Sequence, residues 1–316
     1  MRKWRNVVVA LAVAAVLAGC GEKKAEKPKK LIGLSVLTLT NPFFKVIADA
    51  MSEEAAKHGY EVLVTSGEFD VARQQNQVKD FIVKGVAAIV LCPCDSKAIG
   101  PVIKEANEAG IPVFTADIAC LAPGAKVVSH IATDNYGGGR LAAKAVIEAI
   151  GGKGKVAIID HPEVESVILR TKGFEEEVAE ANKKPEVDIE IVAKLPGGGV
   201  RDKAYKAMQD ILQAHPDIKA VFAINDPSAL GACAALEKAR KLAEVRVVGF
   251  DGQPEGKQAI KEGRIYADPI QFPDKIGRET VRAIVRYFKG EKVEPQILIP
   301  TALYRKADAE KDPTLK

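Results

Sequence analysis

From residue 31 to about residue 270, short apolar runs alternate with longer stretches whose apolar side chains return at helical spacing. Leu31 to Leu37 reads as a buried strand, and Thr38 to Asn41 breaks it with polar residues. Pro42 then opens a helix: it fits the first helical position, which needs no intrahelical N–H, and Asn41 is placed to cap the first turn. Phe44, Ile47, Ala48, Met51 and Ala55 fall on one face, the face expected to pack on a sheet. The alternation predicts strands near 60–65, 86–91, 111–115 and 127–131, with helices near 72–84 and 97–109. Gly110 is a plausible stop for the second of these helices.

After Thr133-Asp134-Asn135 the pattern starts again. Strands are expected near 155–160, 187–193, 219–224, 245–249 and 265–270, and helices near 136–149, 167–182, 201–214, 228–239 and 254–262. Apolar strands alternating with helices of roughly 12 residues predict parallel sheets covered on both faces. The repeats are too many for one average lobe, so the expected fold is α/β with two doubly wound lobes. A (β/α)8 barrel is the architectural alternative.

The first segment follows a different rule. Arg2, Lys3 and Arg5 precede an apolar run from Val7 to Leu17, the composition of an export signal over residues 1–19 and too short for a membrane span. Leu17-Ala18-Gly19-Cys20 resembles the bacterial lipoprotein processing box, which implies lipid attachment at Cys20 and a chain held at a membrane face in the periplasm or at the cell surface. Residues 20–30 are too polar to form a core and read as a tether. Cleavage before Cys20 leaves 43 basic against 42 acidic side chains, a formal charge of +1. The basic balance of the whole chain therefore gives no reason to expect a nucleic-acid partner, and no basic stripe or zinc-finger spacing stands out.

Cys92, Cys94, Cys120 and Cys233 are too few for a disulfide-built scaffold, although one loop bridge among the first three is open. His130 offers no partner pattern that would turn Cys92 and Cys94 into a metal site. The glycine clusters at 137–139, 151–154 and 197–199 match neither a dinucleotide nor a phosphate-loop spacing and read as turns or helix starts, so no cofactor is expected.

Open parallel sheets bind ligands beyond the carboxyl ends of their strands. The polar residues at those ends are Asn41, Asp117, Asp160, His161, Asn225, Asp226, Asp251 and Gln271. They stand far apart in sequence yet can converge at one crevice.

Several ordered segments carry a family likeness: Asn41-Pro42-Phe43-Phe44, the run from Ala220 to Asp226 with Ala229-Leu230-Gly231, Val247 to Gly252, and Ile270 to Gly277. With Val128 to Asn135, they resemble the bacterial ribose-binding protein family, the pentose and hexose receptors of ABC importers, over roughly residues 31–300. The resemblance implies a type I periplasmic binding protein fold with three hinge crossings. One lobe would hold 31–133 and 272–300, the other 134–271 and 301–316. It further implies that Asn41, Asp117, Asn225, Asp251 and Gln271 bond sugar hydroxyls while Phe43 and Phe44 offer ring faces. His161 and Arg170 are further candidates.

The chain also departs from the ribose-binding pattern. Ile118 and Ile168 stand where arginines are expected, and the stretch Gly197-Gly198-Gly199 where an aromatic wall is expected. A guanidinium carries five donors and a charge, so these exchanges change what the cleft can hold. The expected function is a monomeric, non-enzymatic receptor that captures a monosaccharide and delivers it to importer transmembrane subunits. The alternative is a receptor for a polyol or cationic solute acting in signalling or uptake.

Overall fold

The computed structural model describes residues 30–315. The export signal, Cys20 and nearly all of the tether lie outside the described residues. Within them, β1 (Lys30–Val36), β2 (Tyr60–Ser66), β3 (Ala88–Leu91), β4 (Val113–Ala116) and β5 (Ser129–Thr133) build a first sheet. The chain then forms a second sheet from β6 (Lys153–Asp160), β7 (Asp188–Pro196), β8 (Ala220–Ala223), β9 (Arg246–Val248) and β10 (Ala267–Ile270). It returns once to the first sheet with β11 (Gln296–Ile299), parallel to β5, and ends its strands in the second with β12 (Ala302–Arg305), antiparallel to β10. The orders are β11-β5-β4-β3-β1-β2 and β12-β10-β9-β8-β6-β7, and every pairing except β10 with β12 is parallel. Two doubly wound lobes result, and the chain passes between their sheets three times.

The helices are α1 (Pro42–Lys57), α2 (Val71–Val83), α3 (Gly100–Glu108), α4 (Asn135–Ala149), α5 (Glu165–Ala181), α6 (Arg201–Ala214), α7 (Asp226–Lys238), α8 (Pro254–Lys261), α9 (Pro273–Phe288) and the short α10 (Lys306–Ala309). Those up to residue 262 match the expected helices to within three residues at either end. Local chemistry explains several ends. Asn41 Oδ1 accepts from Phe43 N at 3.0 Å with Pro42 in the first turn, and Gly110 takes φ +74° just beyond α3. The apolar stripe of α1 is buried as the spacing requires.

The periodicity reading stopped at residue 270 and missed α9, β11, β12 and α10. The two strands have four residues each and together border Pro295, Pro300 and a two-residue break, so neither is long enough to show its own period.

Close backbone approach fixes helix pairs in both lobes. A Cβ on Gly139 of α4 would stand 2.0 Å from the Arg170 carbonyl oxygen of α5, and one on Gly173 would stand 2.2 Å from that of Tyr136. In the other lobe a Cβ on Gly277 of α9 would lie 2.5 Å from the Ile47 carbonyl of α1. The described cysteines are all free thiols, with Cys92, Cys94 and Cys233 buried and Cys120 half-buried. No helix among the described residues is long and apolar enough to cross a membrane.

Candidate ligand-binding cleft

The strands of both sheets end toward one another. Leu37 and Asn41 follow β1, Asp117 follows β4, His161 follows β6, Asn225 follows β8, Asp251 follows β9 and Gln271 follows β10. All of them line a single cavity between the lobes, together with Phe43, Phe44 and Arg170. The space among them, its open mouth included, amounts to about 420 Å³. The lobes touch across it: Ser96 N donates to the Glu163 carbonyl at 3.0 Å, and Glu165 N donates to Ser96 Oγ at 2.9 Å.

Two carboxylates are held in unusual backbone geometry. Asp117 has φ +64° and Asp251 φ +99°, conformations that non-glycine residues adopt only when their surroundings hold them there. Asp117 N donates to the Ile131 carbonyl at 2.8 Å. Asp251 is fixed on both sides, its N–H bonding Pro269 O at 3.1 Å and its carbonyl accepting from Gln271 N at 2.8 Å. Both residues line the cavity.

The second lobe organises its polar groups into a network. Arg170 Nε donates to Asn135 Oδ1 at 2.8 Å, while Nη1 donates to the Ile224 carbonyl at 2.7 Å and approaches Asp251 Oδ1 at 3.3 Å. Its guanidinium lies 3.9 Å from the centre of the Phe250 ring. Gln271 Nε2 donates to the same Asp251 oxygen at 2.6 Å, which leaves Gln271 Oε1 buried and unpaired. Asn225 has both ends of its amide engaged, Oδ1 by Ser228 N at 2.9 Å and Nδ2 by Gly199 O at 3.0 Å. These bonds hold the side chain in the cavity wall and cap α7, and leave one amide hydrogen and one oxygen lone pair for a further partner.

The first lobe supplies rings and one lone acid. Phe43 and Phe44 stand edge to face with centroids 5.3 Å apart, both buried, so each serves the α1 core as well as the cavity. Asp117 Oδ1 has no partner. Burial raises the Asp117 pKa to about 7, Arg170 opposes that shift, and the charges of Asp251 and Glu165 add to it. Burial also pushes Asp251 upward, against the pull of Arg170 and the Gln271 hydrogen bond.

Asp226 is not among the residues that line this cavity. It is buried against Asp268, with Oδ2 accepting from Gln253 N at 2.6 Å, and burial together with the neighbouring acid drives its carboxyl well up. Glycines at 249 and 256 leave the room this acid pair occupies, since a Cβ at either would meet a carboxyl oxygen at 2.5 Å or less.

The strand-end rule missed part of the wall. Leu37, Phe69, Val164, Ser166 and Val167 line the cavity as well, and Asn135 orients Arg170 from beneath. Polar residues after strands were the signal sought, and apolar side chains in the same places look like ordinary core. His161 is held by Glu163, whose Oε2 lies 2.7 Å from Nδ1, and its ring centre lies 6.4 Å from that of Phe69 across the cleft.

The sequence profile of the family described as "Periplasmic binding protein domain" matches residues 32–292. The chain is 39% identical over 295 residues to a ribose import binding protein of Salmonella typhimurium, covering 93% of this chain and 95% of that protein. A D-apiose import binding protein of Paraburkholderia graminis is 33% identical over 313 residues, 98% of this chain and 96% of its own. Among solved structures, an ABC transporter periplasmic solute binding protein from Actinobacillus succinogenes with bound D-allose superposes with a TM-score of 0.81 at 29% identity, covering 90% of this chain and all of that one.

Proposed function

The chain belongs to the periplasmic binding protein domain family, and from that premise we propose that it is the solute-binding component of an ABC importer, capturing a monosaccharide between its lobes and delivering it by lobe closure. One observation carries the reading: strand ends from both lobes converge on one cavity in which the Asp117 and Gln271 oxygens are buried without partners. Leaving such groups unpaired costs about 1–3 kcal/mol each, and sugar hydroxyls are donors suited to relieve it.

Asp117, Asp251, Gln271 and Asn41 serve as the polar ligand contacts, with His161 and Arg170 beside them. Phe43 and Phe44 supply ring faces. Asn225, held by Gly199 and Ser228, contributes its remaining amide hydrogen and lone pair as a further ligand contact. The lobes divide as 31–133 with 272–300 and 134–271 with 301–316, in keeping with the strand membership of the two sheets. The contacts at Ser96 then belong to the closed form, which ligand favours by binding it better than the open form.

The relatives are transport binding proteins, and this chain likewise binds its solute without turning it over, as a monomer tethered through lipid on Cys20. Small-angle scattering with and without a saturating monosaccharide tests closure, since binding with no decrease in radius of gyration sinks it. Calorimetry across sugars, polyols and amino-bearing solutes tests the ligand, because a response from non-sugars alone overturns sugar binding.

A further inference from the structure

We propose that Asp226 and Asp268 share one proton and serve as a positioning pair for the segment 249–256 that carries the ligand contact Asp251. Affinity for the solute then follows the protonation of two acids that do not line the cavity. This inference rests on the sugar-receptor reading for the role of Asp251 and extends it to residues outside the cleft.

The pair meets that segment at three places. Gln253 N donates to Asp226 Oδ2 at 2.6 Å. A Cβ on Gly256 would stand 1.8 Å from Asp226 Oδ1, and one on Gly249 2.5 Å from Asp268 Oδ1, so the backbone at both ends of the segment lies directly against the two carboxyls. Asp251 stands between these points at φ +99°, its N–H held by Pro269 O and its carbonyl by Gln271 N. Pro269 follows Asp268 in β10, so one short strand carries both an acid of the pair and an anchor of Asp251. A left-handed aspartate keeps its conformation only while its surroundings hold it.

Asp226 Oδ1 and both oxygens of Asp268 are buried with no donor, and the two side chains stand within hydrogen-bond range of each other. Two carboxylates in contact in a buried site do not both ionise; one keeps its proton and donates it to the other. Burial and the neighbouring acid raise Asp226, and burial raises Asp268. The other titratable groups around the pair do not replace that proton. Asp251 adds negative charge and is itself met by Arg170 of α5. Cys233 of α7 is a thiol whose proton burial retains. Tyr304, opposite Asp268 across β10 and β12, donates to Asp312, and Lys257 of α8 reaches the same carboxyl. Glu255 of α8 pairs with Arg201, the charged groups of α4 pair with Glu177 and Arg305, and Arg246 of β9 is exposed. As pH rises and the shared proton leaves, two adjacent charges repel against Gly249, Gln253 and Gly256, and the segment carries Asp251 out of place.

Backbone-amide NMR and calorimetry on the full chain test the inference. In the unliganded protein, from about pH 6 to about pH 9, the amide signals of Gly249, Gln253 and Gly256 should move together as the pair titrates. Asp268→Asn keeps a donor beside Asp226 and removes the shared proton, so it should abolish that movement. In calorimetry with whichever of D-ribose, D-allose and D-apiose binds best, Asp268→Ala should weaken binding about tenfold or more, on the scale of one lost buried hydrogen bond, and Asp268→Asn should restore most of the loss. The difference in affinity between the wild-type chain and Asp268→Asn should widen as pH rises. Melting temperature is read alongside, and the asparagine variant carries the test where the alanine variant does not fold. Amides that titrate alike in the wild-type chain and Asp268→Asn, or a folded alanine variant that binds as tightly as the wild-type chain, overturn the pairing. Saturable binding by no monosaccharide sinks the sugar reading instead, and the unliganded amide titration then still decides the pair.

Discussion

The two lobes meet the same cavity with different means. The second presents a prepared network in which Arg170, Asp251, Gln271 and Asn135 already bond one another, while the first presents two rings and an acid with a free oxygen. The contrast suggests a division of labour: the second lobe fixes the orientation of polar groups before ligand arrives, and the first completes the enclosure with apolar surface and one decisive contact. Organised dipoles need no rearrangement on binding, whereas Asp117 gains its partner only when the cleft is filled.

The sharpest way to break that contrast is to cut the network. Arg170→Ala leaves Asp251 buried without its countercharge and removes the group bonding Asn135 and Ile224, so chemical denaturation should show a loss of about 3–5 kcal/mol, with ligand binding abolished. In the first lobe, Asp117→Asn should act on binding alone. Calorimetry is expected to show a weakening of about tenfold to a hundredfold, in line with loss of one buried hydrogen bond, while stability above pH 7 stays level or rises because a carboxyl that resists ionisation is gone. A loss of stability matching that of the arginine variant would erase the distinction between the lobes.

Paired glycine substitutions probe the same difference through the backbone. Gly139→Ala forces α4 from α5, and Gly277→Ala forces α9 from α1; each should cost about 1–3 kcal/mol. Affinity should suffer more from Gly139→Ala, because it displaces the backbone of Arg170, whose bonds depend on tenths of an ångström, than from shifting the rings of Phe43 and Phe44.

The pH response should separate the lobes more gently. A buried carboxyl with a raised pKa keeps its proton in the folded state after the unfolded chain has released it, so its stabilisation is full below the unfolded pKa and lost as pH rises through the folded one. Asp226, Asp251 and Asp268 in the second lobe all act in this direction. In the first lobe, Asp117 acts likewise up to about 7, but buried His130 has its pKa lowered to about 4 and acts in the opposite sense, since the unfolded chain takes up a proton that the folded one refuses. Hydrogen exchange between pH 4 and 7 should therefore show protection in the second sheet falling with pH while the first changes less. Smallest of all, Cys120→Ser should alter stability by less than about 0.5 kcal/mol by thermal denaturation, as expected of a half-buried free thiol.

Most of this architecture was legible in the sequence because its causes are local. The Leu31–Leu37 run, the α1 stripe, the Asn41 cap and Gly110 each announce themselves within a few residues. Strand ends gave Asn41, Asp117, His161, Asn225, Asp251 and Gln271 by a general rule for parallel sheets, while Phe43, Phe44 and Arg170 came from resemblance to a family. The rule also named Asp226, which the fold turns toward Asp268 instead.

What the sequence determined by itself was the alternation of strands and helices, the doubling of the lobe and the short roll of residues able to stand at the crevice. Tertiary structure alone decided that Asn225 is pinned by Ser228 and Gly199, that Arg170 settles between Asn135, Ile224 and Asp251, and that Asp117, Gln271 and His161 keep buried side-chain atoms unpaired. Periodicity and capping depend on neighbours three or four residues away, but a hydrogen-bond partner 81 residues distant, as Asp251 is from Arg170, exists only once the chain has closed the distance.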